Sequence, residues 1–166
     1  DVPCSGTGTL RRNPDGKWRD MRERLKTLRA AQACPHDRIV CVFQPHTYSR
    51  TIAFYDDFVS SLSLADHIYL CDIYAAREVD TGEVSSAMLA ESLRQAGVDA
   101  AYVPVFEDIE KILEKKISTG DMLITMGAGN AVNIAHALLQ IGAECAVFFE
   151  RAFKVIAEAA CFRRVV

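Results

Sequence analysis

An α/β fold, with a parallel or mostly parallel sheet covered by helices on both faces, follows from two features of this sequence. Short apolar runs at 39–43, 67–71, 101–103 and 122–126 alternate with amphipathic stretches of helical spacing. Strands and helices alternating in this way mark βαβ units. The 166 residues, half of them hydrophobic, are enough for one domain with a real core.

Residues 1–20 differ from the rest, being rich in small, turn-forming and basic residues. From Trp18, apolar residues recur at Met21, Leu25, Leu28 and Ala31 with helical spacing, and Pro35 ends the helix. Strand 39–43 leads through loop 44–50 into a helix over 51–63. That helix is expected to present Ile52, Tyr55, Val59 and Leu62 as one stripe, with Phe54 and Phe58 beside it. Asp56 and Asp57 fall in its early turns, where the helix macrodipole favours negative charge. Strand 67–71 exits into a long loop, 72–83. Ser85 or Ser86 then caps a helix through Ala96, with Gly97 after its end. A short strand at 101–103 precedes helix 106–117, with Phe106, Ile109, Ile112, Leu113 and Ile117 inward. Gly120-Asp121 turns into strand 122–126, which feeds Gly127-Ala128-Gly129-Asn130 and a helix through about Gln140. Residues 144–166 mix aromatic and basic groups, fit a strand plus a helix, and are expected to pack on the domain.

Composition narrows the function classes. A net charge of −3 gives no electrostatic footprint for nucleic acid, although the first 29 residues are locally basic. Six cysteines include no C-x-x-C pair, which argues against zinc ribbons and redox motifs and suits a reducing compartment. Cys41 and Cys71 lie in strand-like runs, where cysteine acts as a small hydrophobe. No apolar run reaches the ~20 residues of a membrane span. His36, His67 and His136 lack partners at ligand spacing, so no metal site is expected. With no initiating methionine, the chain reads as a fragment or a processed piece.

The chemistry concentrates where strand 39–43 ends at Pro45. The following loop carries His46, Tyr48, Ser49 and Arg50: an imidazole, a phenol, a hydroxyl and a guanidinium within five residues. It sits at the carboxyl edge of the sheet, where open α/β sheets bind ligands. All four groups are expected to be free of strand pairing, which makes the loop a candidate for anion recognition. The same residues also suit a helix cap from Ser49 or Thr51 beside a solvated Arg50. Asp72 and Tyr74 follow the second strand and share that edge; they suit ligand contacts or loop ordering. Gly127-Ala128-Gly129-Asn130 has the strand–glycine–helix placement of a phosphate site. It departs from the dinucleotide fingerprint at Val132, and no G-x-x-x-x-G-K-[ST] loop is present.

Four segments, in order, closely resemble the C-terminal domain of the Mur ligases over about residues 23–140. They are PHDRIVCVFQPHTYSRT, LADHIYLCDIYAAREVDTGEVS, LRQAG and GDMLITMGAGN. The resemblance is to the branch that joins L-alanine to the lactyl carboxylate of UDP-N-acetylmuramate, a step in making peptidoglycan precursors in the cytoplasm. It implies a Rossmann-like, three-layer domain that closes over ATP and presents the amino acid. In that family ATP phosphorylates the carboxylate, and the amine then attacks the acyl phosphate. By the same resemblance Arg50 holds the alanine carboxylate, with His46 and Ser49 supporting it, and Asp72 and Tyr74 line the nucleotide side. A planar guanidinium suits a carboxylate through two parallel hydrogen bonds. Thr47 stands where many members have Arg, which removes one anion contact. The UDP-binding N-terminal domain and the central domain that holds ATP and Mg are the implied partners. On its own this piece has no complete catalytic set.

Residues 1–20, with DVPCSGTGTLRRNPDGKWR, are similar to the Pro-Cys motif of S-adenosylmethionine-dependent RNA cytosine-5 methyltransferases. In that family a Cys like Cys4 assists product release, while the nucleophile lies in a Thr-Cys pair, which this chain lacks. The domain organisation expected is therefore a foreign-looking segment 1–20, a ligase-like domain 21–143 and an apolar, basic tail 144–166. Two further readings stand beside the ligase domain: a remnant of an rRNA methyltransferase, and a chimeric α/β module without catalysis. The family domain's opening strand has no counterpart here, so residues 1–10 or the tail are expected to cover a sheet edge.

Overall fold

The computed structural model describes residues 27–127, 131–140, 146–151 and 154–155. Six strands form one sheet: β1 (Ile39–Gln44), β2 (His67–Leu70), β3 (Asp99–Tyr102), β4 (Met122–Gly127), β5 (Ala146–Arg151) and β6 (Lys154–Val155). Their spatial order is β3-β2-β1-β4-β5-β6. Every neighbouring pair is parallel except β5 with β6. The helices are α1 (Tyr48–Ala53), α2 (Tyr55–Leu62), α3 (Ser86–Gln95), α4 (Phe106–Lys116) and α5 (Ala131–Gln140). A further helical segment covers 27–32.

Strand alternation builds the core. Ile39, Cys41, Phe43, Ile68, Leu70, Met122, Ile124 and Met126 face one side, against Leu28, Phe58, Leu62, Leu89 and Leu93. Val40, Val42, Tyr69, Cys71 and Leu123 face the other, against Ile109, Leu113, Ile134, Ala135 and Leu138. The sheet is thus the middle of three layers, as the sequence pattern requires. Each fully buried large apolar side chain contributes roughly 1.5–3 kcal/mol. The chain steps outward from β1 to β2 to β3, then returns to the other side of β1 as β4. Right-handed crossovers force the covering helices to change face at that reversal. The carboxyl ends of β1 and β4 flank that reversal, the usual ligand position in such sheets.

Local signals set the element ends. Ser85 caps α3, its hydroxyl accepting from the Met88 amide at 3.2 Å. After α3 the chain turns at Gly97 (φ 86°), with Gly97 N–H to Arg94 O at 2.9 Å and Val98 N–H to Leu93 O at 3.0 Å. At the amino edge, Arg38 makes a two-point pair with Asp121, at 2.9 and 2.5 Å. Asp66 accepts the Ile39 amide at 2.7 Å. The first contact fastens the starts of β1 and β4, and the second fastens the starts of β1 and β2.

Two expectations are corrected. The helix expected over 51–63 begins at Tyr48 and breaks at Phe54 into α1 and α2. Thr51, Phe58 and Leu62 share the buried face on either side of the break, and Ile52, expected inward, lies off that face and is 42% exposed. The third strand starts at Asp99, because parallel pairing with His67–Leu70 sets its register. The described part of the tail enters the sheet as β5 and β6. Residues 1–20 and 128–130 lie outside the described residues, so the Pro-Cys segment and the centre of the glycine loop do too.

Candidate functional site

Loop 45–47 leaves β1 at the carboxyl edge. The chain after β2 runs beside it, and the two are tied by backbone bonds from Thr47 N–H to Tyr74 O and from Tyr74 N–H to Pro45 O, each 2.9 Å. His46 therefore forms a parallel bridge with Tyr74, which corrects the expectation that it is free of strand pairing. The two rings stack at 5.6 Å with 27° between their planes. Tyr74 stays 46% exposed, so one face of this aromatic pair borders solvent.

Thr47 then turns with φ 63° and ψ 145°, a conformation that L residues adopt at a cost of about 1–3 kcal/mol. The turn starts α1 abruptly and places Ser49 and Arg50 in its first turn. Thr51 is buried and its hydroxyl donates to Thr47 O at 2.7 Å. Arg50 is half-buried. It projects less freely than a rim guanidinium would, because it already interacts within the chain. Ser49 is engaged as well: its amide donates to Glu78 Oε2 at 2.8 Å and its hydroxyl to Oε1 at 2.5 Å. Those two bonds, helped by the nearby Tyr48 amide and Thr47 hydroxyl, hold the Glu78 carboxyl below its ordinary range.

Asp72, at the end of β2, accepts a short hydrogen bond from the Tyr102 hydroxyl at the end of β3. That bond, with burial and the Asp72 charge, pushes the Tyr102 phenol up to about 12. Tyr48 is also raised, by burial and by the nearby charges of Asp80 and Asp72. The structure thus brings His46, Ser49, Arg50, Asp72 and Tyr74 to one edge. It adds two residues that the sequence does not mark as site residues, Glu78 and Tyr102, and keeps Tyr48 of the same loop beside them. Tyr102 was legible only as a strand residue, and the Glu78 contact spans 29 residues, beyond any local pattern.

The opposite edge has a cleft of about 260 Å³ lined by Arg38, His67, Tyr69, Asp99 and Lys116, among others. Its charges are largely matched internally: Arg38 pairs with Asp121, and His67 Nδ1 meets Asp99 at 2.6 Å. The cleft is distant from the carboxyl ends of β1 and β4 and is not the candidate site. Among the described residues no cluster of His, Cys, Asp or Glu suits a metal ion. At the carboxyl edge Gly127 (φ 148°) closes tightly on β1: an added Cβ would lie 2.6 Å from Gln44 O. That contact reflects strand packing, not a phosphate cradle. The exposed Tyr74 ring and the Asp72–Tyr102 pair suit a nucleotide's base or sugar. The described residues do not suit its phosphates or Mg.

Fold and site together define a Rossmann-like α/β domain whose loop polar groups gather at the switch point of the sheet. The chain belongs to the Mur ligase family: residues 19–129 match the family described as Mur ligase, glutamate ligase domain. Similar relatives carry the name UDP-N-acetylmuramate–L-alanine ligase. That of Agathobacter rectalis is 56% identical over 114 residues, covering 69% of this chain and 25% of the relative. That of Clostridium novyi is 51% identical over 113 residues, covering 68% and 25%. That of Lachnoclostridium phytofermentans is 52% identical over 114 residues, covering 69% and 24%. The chain thus matches about a quarter of the length of these relatives. Among the described residues, no helix is long and apolar enough to cross a membrane.

Proposed function

We propose that this chain supplies the C-terminal domain of a cytoplasmic, ATP-dependent ligase that joins L-alanine to UDP-N-acetylmuramate. The observation that carries the reading is the joining of segments 46–50 and 72–78 at the switch-point edge, which gathers the residues of two family motifs. Arg50 holds the α-carboxylate of L-alanine, and His46, braced by Tyr74, supports that end of the loop. Ser49 sets the first turn of α1. Asp72 and Tyr74 meet the nucleotide's non-phosphate end. ATP, bound with Mg by the partner central domain, supplies the phosphoryl group that activates the lactyl carboxylate; the N-terminal domain holds the UDP moiety. Residues 21–143 form the ligase domain, with 144–166 as its tail and 1–20 as a segment of different origin.

A domain exchange tests this reading. The matching C-terminal segment of the Agathobacter rectalis relative is replaced by residues 23–140 of this chain. ADP release that requires both UDP-N-acetylmuramate and L-alanine is expected. Arg50→Ala should raise KM for L-alanine on the order of 100-fold, the effect of losing a charge-assisted hydrogen bond. A folded, ATP-binding chimera without ligase activity, or an unchanged KM in Arg50→Ala, would refute the assignment.

A further inference from the structure

We propose that Glu78 is a positioning residue for the amino-acid site: its carboxylate fills the anion cradle at the start of α1, latches loop 72–83 onto segment 46–50, and thereby fixes Arg50. The inference rests on the reading above for what Arg50 binds, and on the Glu78 geometry for how Arg50 is held. The cradle consists of the Ser49 amide at 2.8 Å and the Ser49 hydroxyl at 2.5 Å, with the Tyr48 amide and Thr47 hydroxyl alongside. These are the donors that the first turn of a helix offers to an anion. Here the anion is internal. A substrate carboxylate therefore does not take this turn's amides.

Backbone strain supports the same conclusion. Among the described residues, the non-glycine positions with positive φ are Thr47 (63°) and Ala76 (56°). They stand on the two sides of this contact. Thr47 begins the turn into α1. Ala76 sits in the turn that Glu78 N–H closes on Ala75 O at 3.0 Å, and that turn aims Glu78 back at Ser49. Strain of this kind persists only where the surroundings over-determine the conformation. The His46–Tyr74 bridge fixes one end of the paired segments and the Glu78 carboxylate fixes the other.

Amide NMR on the 166-residue chain tests this directly. The titratable and charged groups on the joined segments are His46, Tyr48 and Arg50 on one side and Asp72, Tyr74, Arg77 and Asp80 on the other. The Ser49 amide is therefore compared between wild type and Glu78→Gln. In wild type its shift should move only as pH falls below the ordinary glutamate range; in Glu78→Gln that step should vanish. Glu78→Ala should speed hydrogen exchange at 47–51 about tenfold, and added acetate, filling the emptied cradle, should restore the Ser49 shift. A Ser49 amide that titrates identically in wild type and Glu78→Gln overturns the latch.

L-alanine titration separates the latch from its purpose. Wild-type Arg50 signals should respond, and Glu78→Ala should weaken the response about tenfold, 1.4 kcal/mol, with partial recovery in Glu78→Gln. Equal L-alanine affinity in wild type and Glu78→Ala overturns the positioning role and leaves the amino-acid reading intact. A Ser49 step with no L-alanine response in wild type sinks that reading, and with it the assignment of Glu78 to an amino-acid site.

Discussion

The two edges of the sheet use charge in opposite ways. At the amino edge, Asp121 is 2% exposed and its acceptors are spent on Arg38 and the Ser118 amide. Asp66 holds the first amide of β1. At the carboxyl edge two residues carry unfavourable φ, and Tyr74 and Tyr102 stay partly in solvent. The first edge satisfies its charges internally and so serves stability. The second keeps groups at the surface and tolerates strain, the usual mark of a binding region. The cleft at the amino edge lies where the charges are already matched.

Substitutions can break or sharpen that contrast. The largest expected effect is at Gly127, where an added Cβ has no room against β1. Gly127→Ala sets a Cβ against Gln44 O at 2.6 Å on a backbone with φ 148°. A loss of about 3 kcal/mol in urea unfolding is expected. A loss below about 1 kcal/mol would mean that this edge gives way more easily than its geometry indicates.

Next comes Asp121→Ala at the amino edge, with an expected loss of about 2 kcal/mol at pH 7. Burial raises the Asp121 carboxyl, but the Arg38 hydrogen bond, the Ser118 amide and the Arg38 charge outweigh it and hold the group below its ordinary value. The folded-state value thus lies below the unfolded one. The contribution is therefore complete above the unfolded value and disappears as pH falls through the folded one. The stability gap between wild type and variant should close in acid; a gap that persists at the lowest accessible pH would show that Asp121 acts by packing alone.

The smallest effect has the opposite sign. Thr47→Gly removes a strained L residue worth about 1–3 kcal/mol and returns about 0.5–1 kcal/mol of chain entropy. A net gain of roughly 0.5–1 kcal/mol, read as a higher melting temperature, is expected. Destabilisation would mean that the Thr47 hydroxyl matters more to the Glu78 latch than its backbone strain costs.

Legibility followed the range of the interactions. β1, β2, β4, α3 and α4 were readable because apolar spacing, Ser85 and Gly97 act within a turn or two of chain. The break at Phe54 was not, because Thr51, Phe58 and Leu62 satisfy a helical period on either side of it. His46, Ser49, Arg50, Asp72 and Tyr74 were placed on one edge by the order of strands and loops. Their partners were invisible: Glu78 meets Ser49 across 29 residues and Tyr102 meets Asp72 across 30.

By itself the sequence determined the class of fold, the two buried faces of the sheet and the edge at which the polar loops emerge. These follow from hydrophobic periodicity and local backbone preference, which are written residue by residue. Only the tertiary structure decided which polar side chains are already spoken for. A hydrogen bond between loops from different strands depends on where sheet order and register bring them, and no stretch of sequence carries that distance.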